Sequence, residues 1–316
     1  MFATMKILHI IFTIAGVATA WDEAGQTLRG LPLEAPATPS ANSTCSDWTA
    51  WMPPRTDPAV IMQVLTETYV PVEKNFIALM EANSGFSREN IYLMCLDEVS
   101  VEAVALMGIR CVPLVNHSHK SIQALWKLRV KILFCLVEAG YSVMLSDSDA
   151  LWLKDPMQDF DLPQVRDSNI VATRGSFPSD LGDVWGSTVC MGFILLRPSV
   201  GMNTILVKMK QLVSKFQDDQ RSINVALKEL GVEWNPSTDM RYVLSTDFGR
   251  GTVPVGDPEE GGLNVTLLPH NRYTRRCEKM AIGPDTTVAH CYSAKTGPAK
   301  ISWMQTNNLW LVDDSN

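Results

Sequence analysis

Asp147 and Asp149 stand two residues apart, directly after an apolar run from Tyr141 to Leu145 that reads as a strand. Side chains two apart on an extended chain point to the same side. Both carboxylates therefore crowd one strand end and repel each other unless a cation lies between them. Hard oxygen ligands suit Mg²⁺ or Mn²⁺, ions that usually complete their shell with substrate phosphates. Aspartates also cap turns at such positions, and an Asp-x-Asp pair alone does not decide between the two. Two further places hold reactive residue types. Asp218-Asp219-Gln220 opens a helical segment, where acidic residues also suit the positive end of the dipole. His290 ends a short apolar strand and is followed by Lys295 and Lys300. A lone histidine at a strand end is ordinarily structural and an exposed lysine ordinarily solvated.

The elements that must position these residues alternate. Strand-like runs at 59–66, 91–96, 110–115 and 141–145 are separated by helical patterns at 73–81, 99–107 and 121–139, with Gly108 and Gly140 just past two helix ends. Such alternation predicts an α/β fold: a mostly parallel central sheet with helices on both faces and right-handed crossovers. Ligands in such sheets bind at the carboxyl ends of the strands. Thr66, Asp97 and the Asp147–Asp149 turn are placed there.

The 316 residues carry a net charge of −7, which leaves no basic surplus for nucleic acid. Phosphate recognition would have to be local, through a metal or a few cations. Residues 1–20 read as a signal peptide: Lys6, an apolar run from Ile7 to Ala20, and a small-x-small ending at Ala18-Thr19-Ala20. This fourteen-residue run, interrupted by His9 and two threonines, is short for a span of roughly twenty, and a membrane anchor is the alternative. Residues 21–57 are rich in Pro, Ala, Ser and Thr and read as a linker or stem, leaving 58–316 as the functional domain. Three sequons, at Asn42, Asn116 and Asn264, suit a secretory lumen, whether Golgi or extracellular. Of seven cysteines, Cys95 and Cys135 lie in apolar stretches and read as buried thiols; Cys277 and Cys291 are the better disulfide candidates.

The stretch from Trp126 to Pro156, WKLRVKILFCLVEAGYSVMLSDSDALWLKDP, resembles the nucleotide-diphospho-sugar transferase family, which includes plant rhamnogalacturonan xylosyltransferases and extensin arabinosyltransferases. That family's motif is helix, Gly-Tyr turn, strand, then D-x-D-x-x-W-L-(K/R)-D-P. The likeness runs from about Ala59 to Trp310 and implies a GT-A-like nucleotide-sugar-binding fold. It implies that Asp147 and Asp149 hold Mn²⁺ or Mg²⁺, with His290 as third ligand and Lys300 (Lys295 as runner-up) on the donor diphosphate. Asp219, with Gln220 beside it, would lie near the transferred sugar. Thr66 and Asp97 would meet uridine and ribose, and Lys131 the nucleotide, unless it is a helix-surface charge. Cys190 departs from the family, which favours asparagine there.

The resemblance implies a metal-dependent glycosyltransferase that moves galactose, xylose or arabinose from a UDP-sugar to a glycan or glycoprotein, with retention. A leaving phosphate oxygen would then take the acceptor's proton, and Asp219 would stabilise the oxocarbenium-like centre. The alternative is an inactive transferase-like or carbohydrate-binding protein. Acceptor loops are expected near 174–185 and 249–262.

Overall fold

Short β-branched and aliphatic runs build the sheet because their side chains are buried on both faces. In the computed structural model they form β1 (Val60–Leu65), β2 (Ile91–Cys95), β3 (Cys111–Pro113) and β4 (Val143–Ser146). These alternate with α2 (Val70–Asn83), α3 (Glu98–Leu106) and α4 (Ile122–Glu138), after a first short helix, α1 (Cys45–Thr49). The structure describes residues 36–40, 43–54, 56–115, 121–255, 262–275, 277, 282–291 and 296–312. The chain divides into Met1–Ala37 and Thr38–Asn316, and every element named here lies in the second unit.

Beyond β4 come β5 (Leu151–Trp152), α5 (Met157–Phe160), β6 (Ile170–Gly175), α6 (Ser179–Trp185) and β7 (Thr188–Leu196). The chain continues through α7 (Val200–Phe216), α8 (Asp219–Glu229), β8 (Glu233–Trp234), β9 (Gly249–Val253) and β10 (Leu263–Leu267). It ends with β11 (Tyr273–Thr274), β12 (Val288–Ala289) and α9 (Gly297–Thr306).

The large sheet has the order β3-β2-β1-β4-β7-β6-β10-β9-β8. The α/β class expected from the sequence is present, with the parallel block confined to β3-β2-β1-β4 and the β6–β10 pair. β7 runs antiparallel to both neighbours. That reversal matters for the site. Ser146 pairs with Phe193, so residues 188–192 of β7 run on beyond the end of β4 and flank the turn at 147–150. One sheet face is covered by α1, α4, α7 and α8, and the other by α2, α3 and α5.

A second small sheet, β11-β12-β5, folds the C-terminal segment back onto the acidic motif. Trp152 anchors it, fully buried and edge-on to Phe76, Phe86 and Phe193.

Two expectations need correction. Cys95 and Cys135 are not free thiols: Cys45 bridges Cys135, Cys95 bridges Cys111, and Cys277 bridges Cys291. Their apolar surroundings conceal partners that only the fold delivers. β2 lies beside β3, and α1 packs on α4 across 90 residues of sequence. The Cys277–Cys291 pair stands as expected, and Cys190 is buried and unbridged. The second difference concerns the stem. Its last part, around α1, is core: Trp48 is completely buried, and its carbonyl accepts from the Tyr92 hydroxyl at 2.9 Å.

Candidate active site

The backbone leaves β4 at Ser146 and turns at once. The Asp147 N–H donates to the Gly192 carbonyl of β7 (2.8 Å), and the Ala150 N–H donates to the Asp147 carbonyl (2.8 Å). This tight turn faces Asp147 and Asp149 toward the space beyond the sheet edge. The small sheet then delivers the third residue. Leu153 donates to the Thr287 carbonyl and His290 to the Thr274 carbonyl, which fixes His290 opposite the turn. Its Nε2 lies 3.7 Å from Asp147 Oδ2 and 3.6 Å from Asp149 Oδ2. Asp147, Asp149 and His290 each present a ligand atom within 4.8 Å of the others.

Three observations favour a divalent cation there. The donor set is two carboxylates and an imidazole, as Mn²⁺ or Mg²⁺ sites use. The Nδ1 of His290 is buried with no hydrogen-bond partner among the described residues. Gly192 leaves a cradle that any side chain would fill: a Cβ there would collide with His290 Cε1 and sit 2.7 Å from Asp147 Oδ2. The residues present fit the ion.

Lys300 is brought in from α9, whose first turn lies against the β1–α2 connection. A Cβ on Gly297 would come within 2.6 Å of the Thr68 carbonyl, so only glycine permits this approach. The buried Lys300 ammonium pairs with Asp149. Burial opposes the charge on Asp149, yet His290 and Lys300 hold its carboxyl well below the usual range. Tyr69, which sequence reading passed over, senses the same charges. Burial raises its hydroxyl pKa, Lys300 lowers it, and Asp149 and Asp147 raise it.

Asp219 sits at the start of α8. Asn224, one turn later, clamps that helix to β7 by accepting from Val189 N–H and donating to the Val189 carbonyl, both at 2.8 Å. The Asp219 carboxylate is buried and accepts from Arg129 Nε at 2.6 Å. The same guanidinium reaches Asp147 at 3.3 Å and stacks 4.4 Å from the Trp126 ring centroid. Burial raises the Asp219 pKa and the Arg129 charge opposes that rise. Arg129 thus joins the Asp219 carboxylate to that of Asp147. Gln220 donates to the Phe177 carbonyl at 2.7 Å, which holds the 176–178 loop over a pocket of about 240 Å³. Arg129, Asp147, Gly192, Asp219, Tyr242 and Arg275 are among its lining. Arg275 also contacts the Cys190 sulfur.

The remaining expected residues divide. Thr66 and Asp97 end adjacent strands, and the Asp97 carboxylate is already engaged. It accepts from Glu67 N–H at 2.8 Å and caps α3 through Ser100 N–H at 2.7 Å. Lys131 is not brought to the cluster. Its ammonium lies 5.9 Å over the Trp48 ring, on the α1 side of α4. Lys295 lies outside the described residues. Arg129 and Tyr69 were missed; the signal for Arg129 was an arginine two positions before Lys131, on the opposite face of the same helix. Glu73 was missed too. It is fully buried on α2 and accepts from Ser148 Oγ at 2.6 Å, directly behind the acidic turn.

Residues 87–289, more than half of the chain, match the model of the nucleotide-diphospho-sugar transferase family. The chain belongs to this family. It is similar to the UDP-D-xylose:L-fucose alpha-1,3-D-xylosyltransferase of Arabidopsis thaliana, with 26% identity over 209 residues, 59% of this chain and 49% of that protein. It thus spans about half the length of that curated relative. Among solved structures it is similar to the galactosyltransferase LgtC, crystallised with donor and acceptor sugar analogues (14% identity, TM-score 0.43, covering 81% of this chain and 97% of that one). It is also similar to the glycosyltransferase GlyE of Streptococcus pneumoniae TIGR4 (18% identity, TM-score 0.38, covering 54% and 43%). Both structural likenesses are slight.

Proposed function

We propose that the protein is a divalent-cation-dependent glycosyltransferase that takes a sugar from a UDP-sugar donor and places it on a glycan or glycoprotein. The observation that carries this is the placement of the Asp147–Asp149–His290 cluster beside the buried Arg129–Asp219 pair, in a member of a nucleotide-sugar-using family.

Asp147, Asp149 and His290 would hold the cation, which when bound supplies Lewis-acid neutralisation of the leaving diphosphate. Lys300 stands beside Asp149, within reach of a diphosphate at the same place, and Tyr69 lines its approach. Asp219 is an ion-paired carboxylate already engaged by Arg129, which suits electrostatic stabilisation of positive charge at the anomeric carbon. That arrangement agrees with a retaining reaction in which the leaving phosphate oxygen receives the acceptor's proton. Pentose or hexose remains the donor class, with xylose favoured by the Arabidopsis relative. Residence in a secretory lumen is supported by three disulfides, a feature of oxidising compartments. Among the described residues no helix is long and apolar enough to cross a membrane; residues 1–20 lie outside them.

The test is UDP release by residues 21–316 from a panel of UDP-sugars, with and without Mn²⁺. Cation-dependent release from one donor, abolished in D147A/D149A, is the expected result. UDP-sugar binding without turnover on any donor or acceptor would instead assign an inactive relative, and no binding at all would remove the reading.

A further inference from the structure

Near the start of β6, at the end of the sheet opposite the acidic turn, a polar groove of about 480 Å³ lies between the segment before β6 and the adjoining strands β9 and β10. Its size is within the range that holds a small ligand. Asp167, Trp234, Arg250, Thr252 and Asn264 are among its lining. Asn264 is the one sequon asparagine among the described residues, the other two lying outside them. Its backbone is fixed at both ends, with N–H to Asn169 Oδ1 at 3.0 Å and its carbonyl accepting from Asn169 N–H at 2.9 Å. Its side chain is exposed, and no hydrogen bond within the described residues engages the amide.

We propose that Asn264 is N-glycosylated and that the first N-acetylglucosamine of this glycan lies in the groove. A hexosamine suits it: the walls present carboxylate, guanidinium, hydroxyl and indole groups that can share the sugar's hydroxyls and acetamide. The bond formed joins Asn264 Nδ2 to C1 of the sugar. The bond broken is C1–O of a lipid-linked oligosaccharide diphosphate; the lipid diphosphate is the leaving group and the amide proton is released with it.

The fold also sets the order of events. The sequon's Thr266 hydroxyl is buried and shares a hydrogen bond with Ser168 at 2.7 Å. A transferase that must read this hydroxyl therefore acts before β10 docks against β6. The lumenal disposition needed here is supported by the disulfides and is independent of which sugar the active site transfers.

The test uses the whole chain secreted from a eukaryotic host restricted to high-mannose glycans. Peptide-N-glycosidase in ¹⁸O water should convert Asn264 to labelled aspartate. Recovery of the unmodified Asn264 peptide from folded, secreted protein would overturn the assignment. For the groove, an endoglycosidase that leaves one N-acetylglucosamine should leave Tm unchanged. Complete removal, or N264Q, should lower it by about 2–4 °C. Equal Tm for the trimmed, stripped and untreated proteins would refute the packed sugar while leaving the mass result to decide attachment.

Discussion

Replacing Glu73 by glutamine is expected to stabilise the protein at alkaline pH and to bring no gain in acid. Glu73 is completely buried, one oxygen accepts from Ser148 Oγ at 2.6 Å, and the other has no partner among the described residues. Burial pushes its carboxyl from the ordinary 4.5 up to about 7, against the lowering by Ser148. Proton counting sets the sign. Between about pH 4.5 and 7 the folded chain holds a proton that the unfolded chain has released, so stability falls as pH rises through this window. Below it the group costs nothing; above it, holding an ionised carboxylate in place costs about 3 kcal/mol at ~1.4 kcal/mol per pKa unit. Glutamine has the same shape, can accept from Ser148, and never ionises. At pH 4, below the window, Glu73 is protonated in both states; the acid then leaves one donor unpartnered and the amide two, so E73Q should be no more stable than the parent. At pH 8.5 E73Q should be more stable by about 3 kcal/mol, less any strain of the swap. Urea denaturation of both proteins at half-unit steps from pH 4 to 8.5 reads this directly. A stability difference that does not change with pH would refute the reasoning.

Other predictions test the neighbouring parts. G192A places a methyl against His290 and Asp147 and should weaken Mn²⁺ binding about 10–100-fold with the fold intact, read by a cation titration. R129M strips the buried Asp219 of its partner and should destabilise the chain by about 3–5 kcal/mol in urea; R129M/D219L should recover most of that stability yet remain inactive. K300A should weaken cation-dependent UDP binding about tenfold or more, whereas K131A should leave it unchanged, since Lys131 faces Trp48. C45S should cost about 2–4 kcal/mol, because that bridge closes a 90-residue loop, and a smaller effect would place α1 outside the folding core.

Much of the first half of the fold was legible because β1, β2 and β4 are buried on both faces, so their sequences are continuous apolar runs of strand length. The antiparallel course of β7 was not, since a buried strand reads alike in either direction. The acidic turn was legible from its type and spacing. His290 and Lys300 were legible only through the family likeness, because long-range pairing of β12 with β5 brings His290 to Asp149 and packing of α9 on the β1–α2 connection brings Lys300. Helix α4 shows the limit of pattern reading. Arg129 and Lys131 are two residues apart, about 200° around the helix, and which face meets the site is settled by where α1 and α8 pack. Cys135 and Cys95 failed for the same reason: burial is readable locally, while a bridge partner is a property of the tertiary structure.

The central claim is that Asp147, Asp149 and His290 form a cation site that makes nucleotide binding possible. Calorimetric titration of UDP into the folded protein, with Mn²⁺ and after chelation, tests it most directly. Binding that requires the cation and disappears in D149A is predicted. UDP bound equally well without any divalent cation, or no UDP bound by folded protein in its presence, would contradict the account.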